Sequence, residues 1–465
     1  MSNLLAMLGA SGRALDVYQQ ALNAVQNNVS NASTPGYARQ SLNLEALPLD
    51  VAGGLAGGVA AAGLDNSRDQ YVEEQVQRQT QALGQYTAQA QATSAIQSFF
   101  DASGSSGVPA ALSELLQSFS AWSVTPNDAT ARQSVLDSAA NVASSVQGLA
   151  SSLSQNAQQL DASIASTANQ INAIATQIQA YNAQRLTETT PDPGQDANLY
   201  SALDDLSQLT NFSAVTQADG TVTVLLGGGS PLVIGQQQYA LSAASSAAGA
   251  QVLDSQGDDV TSQITSGQLG GLLDSRNRVL GAMLGDGQQA GALNQFAAAL
   301  ADSVNQILES GVVSSGAGAS AGAALFTYDD STPSAAASTL AVNPAITASQ
   351  LAPVDASGNA NGNANQLAAL GSQALTQLGG TSLTQFFGQL TSAIGSENQT
   401  ATDNQQSQQQ VVAQATTLRN QVSGVSLDEE AVNVLQFQRA YQAAAQVLTV
   451  LNSLADSVLN LVQPY

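Results

Sequence analysis

The 465-residue chain contains no cysteine, no histidine and no lysine, so all ten of its basic residues are arginine. Each absence closes a class of chemistry. Without Cys there is no disulfide and no thiol nucleophile; without His there is no imidazole base; and the common zinc shells draw on one or the other. Charged residues make up 9% of the chain, far below the roughly 25% of ordinary globular domains. The charge that is present is mostly acidic, 34 Asp and Glu against ten Arg, for a net charge of −24. That is the wrong sign for a phosphate backbone or an anionic lipid surface, so nucleic acid is excluded as a partner. No window is continuously apolar for ~18 residues, so no membrane insertion is expected.

Ala, Ser, Gln and Asn fill the space left by charge. Helices built from them have neutral polar faces, which can pack on copies of themselves without like-charge repulsion. At this length the chain has room for several domains and an ample core. Both ends carry apolar heptads. Leu8, Leu15, Leu22 and Val29 recur every seven residues, with Leu4, Ser11, Tyr18, Val25 and Ala32 between them. At the other end Leu427, Val434, Tyr441, Leu448, Ala455 and Val462 do the same, with Phe437, Ala444, Leu451 and Val458 between them. A stripe of period 3.5 needs a helical partner, and the simplest partner for each end is the other. In the second helix Ala440, Val447, Leu454 and Leu461 widen the apolar face, so it is expected to pack on neighbouring subunits as well.

The chain as a whole reads as mainly α with a small β part: an elongated multidomain protein with its N- and C-terminal helices paired as a coiled coil and a central helical bundle carrying a β-hairpin element. Residues 1–65 hold the first terminal helix, from about Leu4 to Ala32, stopped by the Pro35-Gly36 turn and followed by a flexible or β connector. Residues 66–310 form a central helical domain. Its longest helix is capped at Thr125-Pro-Asn-Asp128, runs from near Ala129 to about Leu186 and presents Ile164, Ile171, Ile174 and Ile178 on one side. Near residues 215–240 the period switches to two, and Thr221–Leu226, Gly227–Gly229 and Leu232–Ile234 read as a hairpin. Further helix is expected from Leu269 to Glu309, interrupted at Gly281–Gly291. Residues 311–365, rich in Gly, Ala and Ser, read as a small loose outer subdomain or loop. Residues 366–419 read as one return helix, and 420–465 as the second half of the terminal coiled coil.

Candidate chemistry is sparse. The pairs Asp204-Asp205, Asp258-Asp259 and Asp329-Asp330 lack the ligand spacing of a calcium loop and read as solvated turns. Gly227–Gly229 and the glycines from 53 to 63 lack the strand, Lys and helix start of a nucleotide site. No cofactor, metal site or catalytic residue is expected, and an assembly subunit is favoured over an enzyme.

Two segments resemble the flagellar hook-associated protein 1 family. The stretch Ala21–Gln40, with Asn28, Asn31, Pro35, Gly36, Tyr37 and Arg39, is similar to the signature of flagellar axial proteins, and its Pro-Gly-Tyr-Ala-Arg-Gln ending is similar to this member's. Val422–Glu430, with Gly424, Leu427, Asp428, Glu429 and Glu430, resembles the family's closing helix, as do Phe437–Tyr441 and Ala445–Leu448. Weaker similarity lies at Asp128–Gln133, Ile171–Ile178 and Gly267–Leu273 followed by Arg276. The resemblance implies a structural adaptor between hook and filament that is exported through the flagellar type III channel without a cleaved signal. It also implies its partners: copies of itself in a ring, hook subunits, the second junction protein and a cytoplasmic export chaperone. The outer domain of the family would here be a stub at 311–365. The alternative is another axial protein, a hook or rod subunit or the second junction protein.

Overall fold

Residues 2–50, 55–100, 105–187, 192–246, 248–316 and 318–462 are described by a computed structural model. Helix α1 (Ser2–Ser30) leads through a turn into an antiparallel hairpin, β1 (Gln40–Asp50) with β2 (Leu55–Asn66). The expected connector is therefore β. Its register shifts between Asn43 and Leu44, opposite Gly63 at φ 137°, where a glycine accommodates the irregularity.

Central helices follow: α2 (Gln70–Gln97), α3 (Gly107–Val124), α4 (Ala129–Arg185) and α5 (Pro193–Leu209). Asp69 and Asp128 cap α2 and α4, each side-chain oxygen accepting from backbone N–H groups of the first turn. Helix α3 begins at Gly107 and takes Pro109 into its first turn, where the missing N–H has no helical partner to lose. At 57 residues α4 is roughly 85 Å long at 1.5 Å per residue. Ile164, Ile171, Ile174 and Ile178 are buried on it, together with Val135, Val142, Val146 and Leu153. The chain's one Trp, Trp122, is fully buried on α3 and donates its indole N–H to the Pro126 carbonyl at 3.2 Å.

The expected hairpin is the middle of a four-stranded antiparallel sheet, ordered β3 (Phe212–Thr216), β4 (Val222–Leu226), β5 (Pro231–Ile234) and β6 (Gln237–Gln238). A second hairpin, β7 (Ser242–Ser246) with β8 (Gly249–Leu253), stands beside it. The Ser and Ala of β7 carry no strand signal, so only its pairing reveals it. Helix α6 (Gly267–Asp274) passes through a π turn at Ser275–Leu280 into α7 (Gly281–Leu284), and α8 is Ala292–Glu309. The π turn carries Asn277 to Ala250 of β8 and Arg276 to Asp161 of α4, at 2.8 Å in both cases.

Residues 311–365 are tied down rather than loose. They hold β9 (Phe326–Thr327), α9 (Ala336–Thr339), β10 (Ala341–Val342) and the start of α10 (Gly362–Ala369), and they bury Leu325, Phe326, Leu340 and Leu351 in the central core. Two of the glycines that suggest flexibility, Gly311 and Gly322, serve close packing. A Cβ at Gly322 would lie 1.9 Å from the Leu308 carbonyl oxygen, and one at Gly311 would lie 2.1 Å from that of Val354. The expected single return helix is also divided. Gly379 and Gly380, both at positive φ, turn the chain, and Ser382 with Gln385 forms a capping box that starts α11 (Leu383–Ser423). Helix α12 (Leu427–Val462) closes the chain.

With so little charge, helices hold the irregular segments through amide side chains. Asn172, Asn182, Asn277 and Asn305 each accept from and donate to the backbone of one residue, respectively Leu241, Val222, Ala250 and Phe326, at 2.7–2.9 Å. Such a clamp satisfies both backbone groups of a buried residue without placing a charge in the core. One continuous core runs from Ala88 to Ile394, and among the described residues it includes none from α1, β1, β2 or α12. Those four elements form a separate rod, in which α1 packs on α12 and on the hairpin.

Candidate assembly site at the paired terminal helices

Two neighbouring faces of α1 are covered. Val17, Ala21, Ala24 and Asn28 are buried on a stripe that starts with Ala10 against Gly58 of β2 and ends with Asn28 bonded to Gln40 of β1. The heptad stripe lies one face over: Leu8, Leu15, Tyr18 and Leu22 are half-buried, Val25 is buried and Val29 is exposed. The alanines of the hairpin-facing stripe have too little apolar character to announce a second partner. On α12 the heptad positions Val434, Phe437, Tyr441 and Leu448 are half-buried and Leu451 is buried, while Leu427 and Val458 are exposed. The side chain of Val462 lies outside the described residues. A second apolar row on α12, Val447, Val450, Leu454 and Val458, is 37–58% exposed.

The family-signature residues gather where the rod meets the central domain. Asn28 donates to the Gln40 carbonyl and accepts from the Gln40 N–H, both at 2.8 Å, and also takes the Tyr37 hydroxyl at 2.9 Å. Asn31 closes α1 by donating to the Asn27 carbonyl and accepting from the Thr34 hydroxyl. Pro35 is exposed in the turn. Gly36 has φ 71° and lies flat on α5, where a Cβ would stand 2.2 Å from the Ala197 oxygen. The Arg39 guanidinium meets Glu429 at 2.8 Å, and the Arg39 N–H donates to the Ser423 carbonyl at 2.9 Å. Gly424 ends α11, where a Cβ would stand 2.3 Å from the Asn420 oxygen. Asp428, Glu429 and Glu430 occupy the first turn of α12, the end that favours negative charge, and Glu430 is buried.

Four charged residues with no sequence signature complete the junction. Glu73, nearly excluded from water, accepts from Arg68 at 2.7 Å and from Arg419 at 3.4 Å, and Arg419 also meets Asp204 at 2.7 Å. Arg is scarce in this chain, and that scarcity was the available signal. Asp259 and Asp329 accept from turn residues, as the solvated-turn reading expects, but Asp204 and Asp205 lie within helix α5 rather than a turn, and Asp204 accepts from Arg419. Among the described residues no group of three or more Asp or Glu is placed to hold a metal ion.

Burial, with the nearby Glu430 carboxylate, pushes the Tyr37 hydroxyl up to about 12. A raised folded-state value means its contribution is intact below about pH 10, the unfolded value, and is lost as pH rises from there to about 12. The chain has no Lys or Cys to titrate in that window. Tyr37→Phe is therefore expected to lose stability at neutral pH, and the gap to wild type should close between pH 10 and 12 in denaturant titrations. A constant gap would show that the Tyr37 hydroxyl titrates alike in the folded and unfolded states.

Residues 419–461 match the family described as flagellar basal body rod FlgEFG protein C-terminal. Residues 93–326, half of the chain, match the flagellar hook-associated protein FlgK helical domain. The chain belongs to the FlgK family of hook-associated proteins, which form the hook–filament junction. It is 28% identical to flagellar hook-associated protein 1 of Bacillus subtilis (strain 168) over 99% of both chains. It is 26% identical to that of Escherichia coli (strain K12), over 96% of this chain and 98% of the relative. The solved structure of the flagellar hook junction protein FlgK from Burkholderia pseudomallei shares the fold, with a TM-score of 0.61 at 15% identity, covering 75% of this chain and all of that one. No helix among the described residues is long and apolar enough to cross a membrane.

Proposed function

We propose that this protein is a non-catalytic adaptor that forms a ring between hook and filament, with its terminal rod as the assembly element. The observation that carries this reading is the exposed row Val447, Val450, Leu454 and Val458 beside the half-buried seam with α1. A rod helix with apolar rows on two faces is covered only when neighbours arrive. The neighbours are copies of the same chain sideways, hook subunits on one side and the second junction protein on the other. The subunit reaches its place by type III export without a cleaved signal, guided by a cytoplasmic chaperone at its C-terminal region. A rod with few fully buried side chains suits that route, since it opens at low cost. Gold labelling of an epitope-tagged copy in intact flagella tests the placement: label confined to the hook–filament boundary supports it, and label along the hook or at the rod overturns it.

A further inference from the structure

We infer that the joint between the terminal rod and the central domain is a latched hinge, with Arg68 as the latch. The chain crosses between the two bodies at residues 67–69 and again at 424–426. These crossings run side by side: Ser67 N–H donates to the Arg39 carbonyl at 2.9 Å, Arg39 N–H to the Ser423 carbonyl at 2.9 Å, and the Ser423 hydroxyl to the Ser67 carbonyl at 3.2 Å. Two crossings bonded to each other define an axis about which the rod can swing. Fixing the angle takes a further contact, and the Gly36 turn lying on α5 supplies it.

Arg68 holds that contact shut. One terminal nitrogen donates to the Gly36 carbonyl at 2.5 Å, the other meets Glu73 at 2.7 Å, and the guanidinium plane stands 3.5 Å above the Tyr200 ring. Glu73 is in turn held by Arg419, and Arg419 by Asp204, so the fixed side of the latch is anchored in α2, α5 and α11. The closed state is not fully satisfied, because Arg68 Nε is buried with no hydrogen-bond partner. Opening returns that donor and two desolvated charges to water. A buried ion pair of this kind specifies a geometry more than it stabilises one, which is the property of a latch. The neighbouring Arg39–Glu429 pair is largely exposed and contributes little. The inference concerns the two bodies of the chain and does not depend on where in the flagellum the subunit sits.

The cysteine-free chain suits site-directed spin labelling at Gln442→Cys on α12 and Ser166→Cys on α4, both exposed positions. Electron–electron distance measurements on the full-length monomer should give one narrow distribution. Arg68→Gln should broaden it at least two-fold or add a second population, and Arg39→Ala should leave it narrow. Gly36→Ala should broaden it too, because its Cβ would displace the turn from α5 while leaving Glu73 untouched. Fluorescence of Trp122 reports whether the central domain remains folded; if Arg68→Gln does not fold, Gly36→Ala decides. A broad distribution in the wild type, or an unchanged width in Gly36→Ala with the centre folded, overturns the latch.

Discussion

Cells carrying Val25→Asp should build hooks without filaments and release filament subunits into the medium. Val25 is 4% exposed in α1, within both the heptad stripe and the more buried half of the rod. Putting a carboxylate there strands a charge away from water, at a cost of several kcal/mol unless it takes up a proton. The rod has little to set against that cost, because among the described residues its buried apolar side chains are few and small: Val17, Ala21, Ala24, Val25, Ala38 and Leu451. The central core does not include these positions, so the variant should still fold in its middle and fail only at the ends. Secreted subunits in the medium, with a normal main thermal transition of the purified full-length variant, are the paired readouts. Filaments of normal length and number on this variant would sink the proposal that the rod carries assembly.

The largest loss of stability from a single polar substitution should come from Asn182→Leu. Asn182 is fully buried near the end of α4 and donates to the Val222 and Gly235 carbonyls at 2.8 and 2.7 Å while accepting from the Val222 N–H at 2.7 Å. Leucine would fill the volume and leave three backbone groups without partners. At about 1–3 kcal/mol for each buried group left unsatisfied, and with some relaxation, the expected loss is about 3–5 kcal/mol. Calorimetry should record a fall in the main transition of roughly 10 °C. A loss below about 1 kcal/mol would show that water or a shifted β4 replaces the amide, and that the clamp is not what docks the sheet.

The contrast between these two sites separates what is written locally in this chain from what is not. The long α4 helix, the cap at Asp128 and the stop at Pro35-Gly36 are legible in the sequence. Each rests on periodicity or on a side chain meeting a backbone group a few residues away. The same holds for the absence of His, Cys and Lys, which excluded whole reaction classes before any fold was considered. Only the tertiary structure decided that Ala10, Val17, Ala21 and Ala24 face a hairpin, that β7 is a strand, and that Gly311 and Gly322 are packed against carbonyls. Small side chains carry almost no hydrophobic signal, so close approach of backbones leaves little trace in a pattern of apolar residues. The Arg68, Glu73, Arg419 and Asp204 network was hidden for a different reason. Its members lie up to 351 positions apart, in segments that share no repeat, and charged side chains acquire meaning only when folding brings them within about 4 Å and takes them out of water.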